Sequence, residues 1–285
     1  MNQMPEVLTQ NIGDADIQYL HYPGDGPVVI MLHATGFLPW MWHPIARELS
    51  RGYRVIAPYF CDHRHAEPEE GVEWMLLADD LCRLCMGLGI ERPYLVGHSM
   101  GATVMTLAEA IHGPTARALV LIEPIFLPGE IYSMGLTIDQ HPLASKSIKR
   151  RNQWDGPDEA RDYLRSKALF KNWDDEMLDL YVQYGMVPGE TGGLNLACHP
   201  RREAALFMGS QKHNPWPLLP DVSCPALVVE GGESENRHFI DLKKAASLIP
   251  EGRYHLVAGA GHLVPMERPG EVLSFVQEFF ESVPR

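Results

Sequence analysis

Tyr94-Leu95-Val96-Gly97-His98-Ser99-Met100-Gly101 is the stretch whose reading decides the fold. It begins as a short buried strand, passes through G-x-S-x-G, and continues from Met100 to His112 with helical apolar spacing. A serine between a strand and a helix must sit on a very sharp turn to stand clear of the sheet edge. Gly97 and Gly101 omit the side chains that collide across such a turn. The helix that follows aims its N-terminal dipole, and the Met100 N–H, at negative charge developing beside Ser99. This spacing therefore marks Ser99 as a nucleophile rather than a structural turn serine.

Outward from this turn, short apolar runs alternate with amphipathic segments. Strands are expected at Val28 to Leu32, Arg54 to Ala57, Tyr94 to Val96, Ala118 to Ile122, Ala226 to Val229 and Tyr254 to Ala258. Helices are expected at Pro44 to Arg51, Trp74 to Gly87, Met100 to His112, Phe239 to Leu248 and Leu273 to Phe280. An opening hairpin is expected from Thr9 to Ile12 and Asp16 to Tyr22, turning at Gly13-Asp14. The alternation predicts an α/β fold with a doubly wound, mostly parallel sheet.

One region breaks the rhythm. Residues 125–216 show no buried strand pattern but carry helical segments such as Pro157 to Ala168 and Asp174 to Tyr184. So long a stretch cannot be a plain loop in a compact domain. It reads as a helical cap inserted into a core formed by residues 1–124 and 217–285. Trp154, Phe170, Trp173, Tyr181, Tyr184, Phe207 and Trp216 divide between cap core and pocket lining. The run Lys149-Arg150-Arg151 reads as a charged face of the cap.

The formal net charge of −13 disfavours nucleic acid and anionic membrane surfaces as partners. No apolar run is long enough to span a bilayer, and the first residues do not read as a signal peptide. Five cysteines (Cys61, Cys82, Cys85, Cys198 and Cys224) fit reduced thiols in a cytoplasmic protein. Cys82 and Cys85 form a C-x-x-C with no second half, which reads as two small apolar residues on one helical face. Asp62, His63 and His65 lack a fourth metal ligand and read as loop-bracing groups. No HExxH, P-loop or dinucleotide fingerprint is present.

The general base is expected after the last core strand. There Gly259-Ala260-Gly261-His262 lets a flexible loop carry His262 back over the sheet edge towards Ser99. A second oxyanion donor is expected from His33-Ala34-Thr35-Gly36, which leaves the first core strand at the same sheet edge. The Thr35 N–H is the first candidate there and Gly36 the second.

His33 to Gly36, Gly97 to Gly101, Leu121-Ile122-Glu123-Pro124 and Gly261-His262-Leu263-Val264-Pro265-Met266-Glu267 together resemble the α/β-hydrolase superfamily, in its capped, esterase-like branch. The resemblance implies a Ser–His–acid triad, an acyl-enzyme, and no metal or cofactor. In most of that family the acid is an aspartate after the strand matching Ala226 to Val229. This chain has Glu230-Gly231-Gly232-Glu233-Ser234-Glu235-Asn236 instead, with Glu235 near the expected place. Some relatives carry a glutamate after the preceding strand, where this chain has Glu123. Both glutamates are candidates, and Glu123 is favoured because it directly follows a buried strand. The loop Pro58 to His65 lacks the glycines usual in relatives.

The function implied is a serine hydrolase cleaving a hydrophobic carboxylic ester or lactone. The rival readings are a C–C bond hydrolase of vinylogous diketones and a ligand receptor that keeps a hydrolase pocket.

Overall fold

The computed structural model describes residues 4–60, 62–113, 116–190 and 192–284. Its strands are β1 (Glu6–Asn11), β2 (Asp16–Tyr22), β3 (Val28–Leu32), β4 (Arg54–Pro58), β5 (Tyr94–His98), β6 (Ala118–Ile122), β7 (Met186–Pro188), β8 (Leu194–Leu196), β9 (Ala226–Gly231) and β10 (Gly252–Val257). The helices are α1 (His43–Leu49), α2 (Trp74–Gly87), α3 (Met100–His112), α4 (Ile131–Met134), α5 (Pro142–Ile148), α6 (Pro157–Arg165), α7 (Asp175–Tyr184), α8 (Pro200–Gly209), α9 (Leu242–Leu248), α10 (Val264–Glu267) and α11 (Pro269–Ser282).

Among the described residues, eight strands form one sheet in the order β1-β2-β4-β3-β5-β6-β9-β10. The β1–β2 and β2–β4 pairs are antiparallel and the remaining pairs parallel. Apolar runs such as Ala118–Ile122 are buried along their whole length because helices cover both faces. Alternate β3 residues serve the two layers. Val29 and Met31 pack with Ile45 of α1 and Phe279 of α11. Ile30 and Leu32 pack with Leu77 of α2 and Val104 of α3. Each fully buried aliphatic side chain contributes about 1.5–3 kcal/mol.

The segment between β6 and β9 holds α4 to α8, and also a β7–β8 hairpin extended by a bridge from Trp154 to Leu194. Beside the expected helices, the insert therefore holds a short hairpin whose strands are only partly buried. Strands of three residues are too short to display a period of two. Trp154, Phe170, Trp173 and Tyr181 are buried and join the hydrophobic layer that also contains Phe37 and Trp40. Tyr184 stacks on Trp40 with centroids 3.6 Å apart, and Trp216 donates its indole N–H to Leu127 O. Charged contacts add to this join: Arg47 of α1 forks onto Glu176 of α7, and Arg202 of α8 bonds Asp62 at 2.7 Å.

Other boundaries move by a few residues. α9 starts at Leu242 rather than Phe239, because Asp241 accepts from Lys244 N as a cap. Cys82 and Cys85 lie on α2 as free thiols, and burial pushes them up to about 11 and about 12. Cys198 and Cys224 are also free, and Cys61 lies outside the described residues. His63 and Arg64 both bond the buried Asp80 of α2. Among the described residues, no group of three or more His, Cys, Asp or Glu side chains is placed to hold a metal ion. No described helix is long and apolar enough to cross a membrane.

Candidate active site

Three neighbouring strands end side by side at one sheet edge, and each delivers part of the site. β5 ends in the turn that carries Ser99, whose φ of 54° and ψ of −116° lie outside the usual regions for an L-residue. Its backbone is pinned on both sides: Ser99 N donates to Ile122 O at 2.9 Å, and Ser99 O accepts from Thr103 N at 3.1 Å. The two glycines are required by space. A Cβ on Gly97 would lie 2.6 Å from the Ala102 backbone, and one on Gly101 would lie 2.4 Å from Leu32 O. The second approach presses the turn onto the end of β3.

β3 continues into His33 to Phe37. Ala34 O accepts from Phe37 N at 3.2 Å, so Thr35 and Gly36 are the central residues of a tight turn, with Gly36 at φ 78°. His33 is buried, and its Nε2 accepts from Phe60 N at 3.1 Å. Burial depresses its pKa, so it stays a neutral brace for this turn. Thr35 is buried, and Met100 is the first residue of α3, where helix N–H groups have no intrahelical acceptor.

β6 ends at Ile122, and Glu123 follows with a positive φ of 50°. Among the described non-glycine residues, only Arg92 shares a positive φ with Ser99 and Glu123. Glu123 is fully buried, and its Oε2 lies 2.9 Å from His262 Nδ1. His262 Nε2 lies 3.1 Å from Ser99 Oγ. With Nδ1–H donating to Glu123, Nε2 is free to accept the serine proton.

Glu235 is exposed at the start of a short 3₁₀ turn, and the carboxylate on His262 Nδ1 is that of Glu123. The end of β9 and the loop after it supply hydrogen-bond donors in place of an acid. Gly231 N donates to Glu123 Oε1 at 2.7 Å, and Ser234 Oγ donates to Oε2 at 2.8 Å. Asn236 Nδ2 lies 3.5 Å from Oε2 and 3.0 Å from His262 Nδ1. These contacts give the oxygens of the buried carboxylate hydrogen-bond partners.

The His262 loop is tied down at several points. Glu267 Oε2 accepts from Gly261 N at 2.8 Å, and Arg268 donates to Gly259 O at 3.0 Å. His98 donates through Nε2 to His262 O at 2.9 Å. Burial, reinforced by the neighbouring His262, depresses the His98 pKa to about 3, so it stays neutral. Sequence reasoning passed over His98, Ser234 and Asn236. His98 was visible as the variable residue of G-x-S-x-G. Ser234 and Asn236 are polar residues beside Glu235 in the loop after β9.

A family model described as the alpha/beta hydrolase family matches residues 29–275. Epoxide hydrolase A of Mycobacterium tuberculosis is 28% identical over 309 residues, covering 90% of this chain and 91% of that protein. Esterase YbfF of Escherichia coli K12 is 22% identical over 240 residues, covering 82% and 85%. The crystal structure of E-2-(acetamidomethylene)succinate hydrolase superposes with a TM-score of 0.81 at 21% identity, covering 98% of this chain and 100% of that one, a likeness of fold.

Proposed function

The chain belongs to the alpha/beta hydrolase family, and on that premise we propose that it hydrolyses a carboxylic ester or lactone through an acyl-enzyme. The observation that carries this reading is the relay from Ser99 Oγ to His262 Nε2 at 3.1 Å and from His262 Nδ1 to Glu123 at 2.9 Å.

In this reading Ser99 attacks the substrate carbonyl while His262 takes its proton. Glu123 holds the imidazole and stabilises its charged form. The N–H groups of Met100 and Thr35, with Gly36 beside them, bind the oxyanion. Protonated His262 then serves the leaving alcohol, and a water activated by the same imidazole deacylates Ser99. Residues 125–216 act as the cap over this edge, held to the core by the buried aromatics at the join.

The nucleophile's chemistry separates this reading from epoxide opening, the activity named for one relative. A serine alkylated by an epoxide becomes an ether, which water does not cleave under these conditions. A serine acylated by an ester becomes an ester, which the same imidazole and water reverse. Ser99 therefore suits acyl transfer. Esterase YbfF supports the ester class.

The test is a panel of p-nitrophenyl esters, lactones and vinylogous diketones, run on wild type and Ser99→Ala. An acyl burst on p-nitrophenyl acetate is expected, with turnover falling by about 10⁴-fold or more in Ser99→Ala. Turnover confined to diketones moves the assignment to C–C hydrolysis. Single turnover with a large ligand-induced rise in Tm moves it to a receptor.

A further inference from the structure

Lys149-Arg150-Arg151 reads in the sequence as a solvated charged face, but Arg150 departs from that. Its side chain is 25% exposed and its Nη1 lies 2.8 Å from both oxygens of Glu203, which is itself buried. Arg150 Nη2 lies 3.5 Å from the Tyr181 hydroxyl, and the Tyr181 ring packs edge-on against Phe37 at 5.7 Å.

The pair rests on the proposed oxyanion turn. A Cβ on Gly36 would lie 2.2 Å from Glu203 Oε1 and 2.8 Å from Glu203 Cδ, so the carboxylate fills the space that glycine leaves. The backbone that carries Glu203 is anchored. Its helix α8 is fixed to the core by Val72 N donating to Ala205 O at 2.9 Å and Trp74 Nε1 donating to Leu206 O at 2.9 Å. A Cβ on Gly209 of the same helix would lie 1.7 Å from Val72 O.

A bare carboxylate on this turn opposes the negative charge that builds on the substrate oxygen. We propose that Arg150 is a positioning residue for the reaction, acting through Glu203: it cancels the carboxylate charge held against Gly36, so that the Thr35 turn stabilises an oxyanion. This rests on the reading of Thr35 and Met100 as the oxyanion donors. Arg150 keeps its charge for this role. Burial disfavours the cation, but Tyr181 and Glu203 outweigh that and raise its pKa.

The experiment is steady-state hydrolysis of p-nitrophenyl acetate by Arg150→Gln, Arg150→Lys, Glu203→Gln and the Arg150→Gln/Glu203→Gln double variant. Arg150→Gln is expected to lower kcat roughly ten- to hundredfold, the effect of a like charge a few ångströms from the oxyanion in a partly desolvated site. KM for this neutral ester stays within about threefold, because the effect belongs to the transition state. Arg150→Lys keeps kcat within about threefold of wild type, and so does the double variant, since neither leaves a bare carboxylate.

Wild-type kcat in Arg150→Gln overturns the proposal. So does a double variant as slow as Arg150→Gln, which marks a purely structural pair. Should Arg150→Gln not fold, Glu203→Gln alone decides: kcat at or above wild type supports the proposal, and a fall of about tenfold overturns it. Absence of Ser99-dependent turnover in the wild type overturns the functional reading and this inference together. Normal wild-type turnover without rescue overturns this inference alone.

Discussion

The loop after β6 and the loop after β9 each offer a glutamate as a candidate acid, and the fold treats them oppositely. Glu123 leaves a central strand in a strained conformation, is fully buried, and lies 2.9 Å from His262 Nδ1. Glu235, one strand further out, is exposed. The end of β9 and its loop instead point Gly231 N and Ser234 Oγ at Glu123. The difference teaches that the carboxylate facing His262 and the groups that donate to it come from two neighbouring strand ends.

The strongest way to break this comparison is to neutralise each glutamate in turn. Glu123→Gln is expected to lower kcat by about 10³- to 10⁴-fold, because the imidazole loses its orienting charge. Glu235→Gln is expected to stay within about twofold, as for an exposed substitution. Ester kinetics on both variants checks this, and the reverse order of effects ends the assignment.

A finer test moves the acid across. Asn236 Nδ2 stands 3.0 Å from His262 Nδ1, so a carboxylate at that position reaches the imidazole. In a Glu123→Gln background, Asn236→Asp is expected to recover roughly tenfold in kcat. No recovery means that the β9 loop can supply donors but not the acid.

The smallest effect concerns His98, which fixes the His262 backbone for either arrangement. Its folded pKa of about 3 lies below the unfolded value near 6.5. Stability from the neutral buried ring is therefore full above about pH 6.5, begins to fall below it, and is lost as the pH drops through about 3. Comparing Tm at pH 7 and pH 4 for wild type and His98→Asn checks this. The wild type is expected to lose more on acidification than the variant does.

Legibility in the sequence followed locality. The turn at Ser99 was readable because the glycines that shape it lie within two positions of it, although the contact that excludes a side chain at Gly101 is with Leu32 of β3. The parallel sheet was readable because strands buried on both faces must be apolar throughout. The β7–β8 hairpin was not, since its strands span three residues each. Nor was Arg150, whose neighbours in sequence are both charged while its partner lies in α8.

By itself, the sequence determined the α/β core, the serine turn at Ser99 and the glycine-flanked loop of His262, each a matter of local spacing and backbone freedom. Only the tertiary structure decided which glutamate meets His262, that His98 holds that histidine's carbonyl, and that Arg150 and Glu203 sit on the Gly36 turn. Those outcomes depend on which strands are neighbours and how a helix docks across the sheet edge. The composition of a loop records only that a charge is present. Whether the charge is buried, and what it faces, is set by residues more than fifty or a hundred positions away, brought close by burial of the two apolar layers.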